Sequence, residues 1–280
     1  PWDLFFFFFE IFKYTGFLIQ KGGIPYVDFF DHKPPLIFFF NYLGALVGNW
    51  GFWMMDAALV LFCSIQFLRL NLQYKIYFPV ILPILFNLIL RNSTISFGMG
   101  MTREYTTLCL LLVFCIILGN AKFKYFYLGI LAALIFFMQQ DQVAILIPFI
   151  IYALFENENT NKKLLNKTLQ MIGGGLTIFI PIILYFSLHN AFDAFWQDAF
   201  LFNFKWYTSP DTKPGFLTEV VALKVKLYEL KFEIFFAGSI LLGLLSLYIG
   251  SKNKWLLIAA LIAIPLSFIS EFLSGKIALK

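Results

Sequence analysis

Between residues 50 and 188 the chain is a series of long apolar runs cut by short polar loops, and this pattern constrains its fold more than any other feature. A helix needs about 20 mostly apolar residues to cross a bilayer. Runs of that kind fall at roughly 50–70, 76–91, 104–119, 124–139, 142–156, 169–188, 232–250 and 255–271. The fourth and fifth are short and meet at Gln139-Gln140-Asp141-Gln142, a polar knot at a turn. The expected fold is therefore all-α, a polytopic transmembrane helical bundle of about eight spans. Composition agrees, because 60% of the residues are hydrophobic and 13% charged, with 38 Phe. An average soluble domain has roughly 45–50% and 25%, and one of this size has no interior large enough to hide so many aromatics.

Charge sets the expected orientation. If residues 1–49 lie outside, the loops on the inner side carry Arg69, Lys75, Lys122, Lys124, Lys162, Lys163, Lys167, Lys252 and Lys254 against Glu156 and Glu158. Short inner loops rich in Lys and Arg are what membrane insertion favours. The net charge of +5 is thus a matter of topology and is no sign of nucleic acid. Cys63, Cys109 and Cys115 sit inside apolar runs, without the spacing of a disulfide framework or a zinc site, and the chain has only His32 and His189. The chain opens at Pro1 without a Met, so it reads as a fragment of a longer protein. Its expected parts are an outer segment at 1–49, transmembrane helices in 50–188, a second outer segment at 189–231 and further spans in 232–280. Loops without structure of their own seldom run as long as the two outer segments, which makes them the place to look for function.

At 100° per residue, Asp3, Glu10, Tyr14 and Lys21 form one narrow stripe on a helix that is otherwise largely Phe, Ile and Leu. Such a helix suits the membrane interface, and the alternative is a span interrupted by Glu10 and Lys13. Residues 24–36 follow as Ile-Pro-Tyr-Val-Asp-Phe-Phe-Asp-His-Lys-Pro-Pro-Leu, with Asp28, Asp31, His32 and Lys33 beside an apolar surface. Pro34 and Pro35 disfavour helix just before them, so this strip should be extended. It can present Lys33 to a phosphate while carboxylates orient hydroxyls; it can equally be a solvated loop held by local ion pairs. Asp28 and Asp31 are the acids a Mg²⁺ or Mn²⁺ ion would draw on, although nothing in the sequence compels one.

The run Gly23-x-Pro25-Tyr26-x-Asp28-x-x-Asp31-His32-Lys33-Pro34-Pro35-Leu36 resembles a motif of the GT-C membrane glycosyltransferases (glycosyltransferase family 39-like), in the branch of the protein O-mannosyltransferases and the lipid A aminoarabinose transferases. In that branch an acid lies early in the first outer loop and a Lys-Pro-Pro run follows, positions that Asp3 and Lys33-Pro34-Pro35 match. Thr102-Arg103-Glu104-Tyr105 is similar to a Thr-Glu-Glu-Tyr-like run of related bacterial sequences, with Arg103 in place of the first acid. Gln140-Asp141 and Asn203-Phe204-Lys205-Trp206-Tyr207 are weaker likenesses.

The resemblance implies an inverting sugar transfer from a polyprenyl-phosphate-linked donor to a lipid, glycan or protein acceptor. It would take place on the outer face of a bacterial cytoplasmic membrane. It implies Asp3 as the catalytic base and Lys33 as the donor-phosphate contact, with Arg103 a second. Glu10, Tyr26, Asp28, Asp31, His32 and Glu104 would shape the site or bind sugar hydroxyls. The rival readings are a transporter or flippase of envelope lipids, for which no internal repeat is visible, and a non-catalytic partner in envelope assembly.

Overall fold

The computed structural model describes residues 2–90, 101–156 and 161–202 with parts of 255–266, and within them the side chains of all but residues 2–9 and Ile89. Among the described residues the chain is all-helical, with one isolated bridge, Pro25 to Phe29, and no strand. The helices are α1 (Trp2–Gln20), α2 (Leu36–Val47), α3 (Gly51–Gln73), α4 (Ile81–Leu90), α5 (Thr102–Leu118), α6 (Lys124–Met138), α7 (Val143–Phe155), α8 (Asn161–Leu188) and the short α9 (Phe192–Trp196). A 3₁₀ turn, Gln140–Gln142, joins α6 to α7, and a π turn, Gln197–Leu201, follows α9.

Two of these helices, Gly51–Gln73 and Asn161–Leu188, are long and apolar enough to cross a membrane. The expectation of eight spans is not supported. At 1.5 Å per residue, the 15 residues of α6 and the 13 of α7 reach only about 22 and 20 Å, against a hydrocarbon core of about 30 Å. The cause is local: the Gln-Gln-Asp-Gln knot cuts one long apolar run into two short helices. The 10 residues of α4 are bounded in front by a turn in which Lys75 and Phe78 take φ of +53° and +56°. The expected span at 232–250 lies outside the described residues.

Contacts show how the helices are laid out. Tyr74 reaches the Leu118 carbonyl and Cys63 the Leu108 carbonyl, so α3 and α5 run in the same direction. Asn87 bonds Ser64, which sets α4 antiparallel to α3. Phe114 packs on Phe149, whereas Gly129 and Gly174 bring α6 and α8 into backbone contact. One end of the bundle therefore collects residues 21–35, 101–105, 139–142 and 189–202, and the other collects 74–80, 119–124, 156 and 161–167. Across the first end lies α2, with Gly44 on Phe52, Phe40 on Tyr105 and Phe39 on Tyr185. Helix α2 is thus a cap over the ends of α3, α5 and α8. Phe12 meets Phe38, and a Cβ at Gly16 would stand 2.6 Å from the Asn41 carbonyl, so α1 runs beside α2 in the same sense.

The Gly173-Gly174-Gly175 run serves helix packing. A Cβ at Gly174 would collide with the Phe126 carbonyl of α6, while one at Gly173 meets nothing within 4 Å. Gly174→Ala should therefore destabilise the folded chain by roughly 1–3 kcal/mol, the usual cost of overpacking. Gly173→Ala, on the same helix, should be neutral or mildly stabilising, as Ala is the better helix former. Thermal unfolding in detergent compares the two, and equal shifts would show that α6 and α8 do not depend on this contact.

Candidate functional site

The Lys-Pro-Pro loop is built around a buried tyrosine. Gly22, at φ +93°, turns the chain back after α1. The Asp28 carboxylate then accepts from the Ile24 N–H at 2.6 Å, and Tyr26 N–H donates to the Phe29 carbonyl at 3.0 Å. This tight turn forces Tyr26 to φ +69°, a left-handed value that costs a non-glycine residue of order 1 kcal/mol or more. The compensation is visible in the packing. The Tyr26 ring contacts Phe38, Phe186 and Phe195, and its hydroxyl donates to the Lys33 carbonyl at 2.6 Å. Burial, helped by the charges of Asp31 and Asp198, pushes the phenol well above its ordinary pKa, so it stays a neutral donor.

That bond fixes the backbone at Lys33, and Asp31 fixes its side chain. One Asp31 oxygen accepts from the Lys33 N–H at 3.1 Å and lies 3.6 Å from the Lys33 Nζ and 3.5 Å from the His32 Nδ1. The ammonium also sits 4.9 Å from the ring centre of buried Phe12, a cation–π contact. The Lys33 side chain is 24% exposed, and so remains open to a ligand. The strip around Pro34 runs through bends and a turn instead of a helix, and α2 starts at Leu36.

The structure brings Tyr26, Asp31, His32 and Lys33 together. Asp28 is exposed and occupied with its turn. Arg103, Glu104 and Tyr105 open α5, and Tyr105 meets Phe40 of α2 with ring centres 4.3 Å apart. Glu104 is fully buried in the first helical turn, where an acid suits the helix dipole. Glu10 lies apart from this group. Its side chain is 57% exposed and paired with Lys13 at 3.4 Å, and it lies about 160° around α1 from Phe12, on which Lys33 rests. Asp3 lies in the first turn of α1, and its side chain is outside the described residues. Asp28 and Asp31 are both engaged inside the loop, and no three His, Cys, Asp or Glu side chains that could hold a metal ion gather among the described residues.

Sequence reasoning missed Asp198. The aromatics of residues 192–207 read as interfacial anchors, yet Phe195 stacks on Phe186 with ring centres 4.4 Å apart, and Phe202 meets Phe30 and His32. These contacts carry Asp198 close enough to perturb Tyr26, and partial burial raises its own pKa. An acid in so aromatic a stretch was the available signal. The Gln140 amide donates to the Ala199 carbonyl, tying the polar turn to the same segment. The Asn203–Tyr207 likeness lies outside the described residues.

The site is thus a fixed cation on an aromatic floor, flanked by carboxylates in partly desolvated surroundings. No protein family, curated protein or solved structure matches this chain.

Proposed function

We propose that the chain is a membrane-embedded glycosyltransferase of the GT-C kind, taking a sugar from a polyprenyl-phosphate carrier to an acceptor hydroxyl on a lipid, glycan or protein. The observation that carries this reading is Lys33, whose ammonium is held over Phe12 by Asp31 at the edge of an apolar surface. A carrier phosphate needs a cation, and its prenyl tail needs an apolar wall beside it. In the reaction the acceptor oxygen attacks the anomeric carbon, the bond to the phosphate oxygen breaks, and its electron pair leaves with the phosphate. Lys33, with Arg103 as a second cation, stabilises that charge. A carboxylate takes the acceptor proton, and displacement from the opposite face inverts the centre. Asp3 is the base that the resemblance supplies, although it shares the stripe of exposed Glu10 on α1, and Asp198 is the acid that the fold adds. The site would face outward from a bacterial cytoplasmic membrane, with the lysine-rich end of the bundle inside.

Purified full-length protein in nanodiscs, mixed with undecaprenyl phosphate and with undecaprenol, gives a direct test. Tight binding of the phosphate form alone is expected, followed by its release from matched sugar-loaded donors when acceptor is added. Equal binding of the two lipids would reject the reading. Movement of the loaded carrier across proteoliposomes without sugar transfer would replace it with a flippase.

A further inference from the structure

The opposite end of the bundle holds a cavity of about 880 Å³ between the α3, α5–α6 and α7–α8 ends. Lys122, Lys124, Lys163 and Lys167 line it with Glu156, a formal excess of three positive charges. The glutamate is already committed, taking Lys124 at 2.8 Å and the Tyr152 hydroxyl at 2.8 Å. Lys167 donates to the Leu154 and Glu156 carbonyls and lies 5.0 Å from the Tyr125 ring centre. Those two lysines are structural. Lys122 and Lys163 are exposed, and neither has a carboxylate within ion-pair distance among the described residues. Asn120, Asn166 and Gln170 add amides to the wall.

A second cavity, of about 450 Å³, adjoins the first, sharing Gln73 and Gly119 to Ala121 with it. Phe62, Leu112, Ile116 and Leu131 line it, and Arg69 and Gln66 stand among them. The pair is therefore a cationic, amide-lined bowl that runs into an apolar groove between helices. A free phosphate would use only the bowl. A molecule with a negative headgroup and an acyl chain would use both.

We propose that this end of the protein holds an anionic phospholipid, its phosphate bound by Lys122 and Lys163 and one acyl chain laid along the Phe62–Leu131 groove. Basic pockets between membrane helices commonly hold anionic headgroups in this way, at about 1 kcal/mol per lysine. The proposal rests on the membrane placement given above, but it does not need the sugar-transfer chemistry.

Native mass spectrometry of the full chain in detergent, with phosphatidylglycerol or phosphatidylcholine added, reads the site directly. Retained adducts should favour phosphatidylglycerol, and Lys122→Ala with Lys163→Ala should lower that affinity roughly 30-fold, leaving phosphatidylcholine adducts unchanged. The double Lys→Arg variant keeps both charges and should keep the lipid, which separates binding from misfolding. Equal adducts of the two lipids, or an undiminished preference in the alanine variant, would overturn the proposal. So would displacement by millimolar inorganic phosphate, the behaviour of a soluble-anion site. Alkaline carbonate extraction of membranes identifies where any failure lies. Release of the protein would bring down the membrane reading along with this one. Retention without lipid preference would bring down this one alone.

Discussion

Replacing Asp3 by Asn should lower sugar transfer by about 10²–10⁴-fold, the usual loss of a general base, while donor binding survives. The amide keeps the size and much of the hydrogen bonding of the carboxylate but cannot take the acceptor proton. Asp3 has a competitor in Asp198, beside Tyr26 and raised in pKa by partial burial. The two assignments differ in more than the identity of the damaging variant. A base must be ionised, so activity falls as pH drops through its pKa. With Asp198 as base, the acid limb of kcat/KM would lie above the ordinary aspartate value of about 4, and Asp198→Asn would abolish that limb along with the rate. Glu10→Gln should be close to wild type in either case, because Glu10 is exposed and paired with Lys13. Near-normal turnover in Asp3→Asn together with a collapse in Asp198→Asn would move the base to the second segment. Normal turnover in both would remove Asp3 and Asp198 as the base.

What the sequence makes legible here is what local chemistry decides. Apolar runs become helices, Pro34 and Pro35 keep the preceding strip out of helix, and the polar loops fall at two ends of the bundle. Helix length was less legible, because hydropathy ignores where the backbone turns. The run from 124 to 156 is apolar enough for membrane-spanning helices, but Gln139 to Gln142 divide it so that neither half is long enough. The sense of α2 was also hidden. It depends on the loop doubling back at Gly22 and Tyr26, and Tyr26 accepts a strained φ only because Phe38, Phe186 and Phe195 enclose its ring. Two of those three partners lie some 160 residues further along the chain. The same distance concealed Asp198, an unremarked acid until Phe195 stacks on Phe186 and brings its segment to the loop. On α1 the polar stripe was legible: its described members Glu10, Tyr14 and Lys21 are exposed, and the buried face is that of Phe12.

Lys33→Ala should weaken polyprenyl-phosphate binding by about 1.5–3 kcal/mol, or roughly 10- to 150-fold, the range for a hydrogen bond to a charged group. The loss should be specific to the phosphate. Affinity for the neutral prenol depends on the apolar surface and should change little, which makes the ratio of the two affinities the quantity to measure. The surroundings of Lys33 predict graded effects for its supports. Tyr26→Phe removes only the hydroxyl that holds the Lys33 carbonyl, and should cost about 0.5–1.5 kcal/mol in stability, the net worth of an ordinary hydrogen bond. Asp31→Asn removes the charge that orients the ammonium but also the competitor that neutralises it. Carrier binding in that variant should therefore persist, while turnover falls because the cation is no longer held in place. Lys33→Arg restores charge with a planar fork and should recover part of the affinity. A carrier-to-prenol ratio unchanged in Lys33→Ala would remove Lys33 from the donor site and leave Arg103 as the candidate that the resemblance supplies.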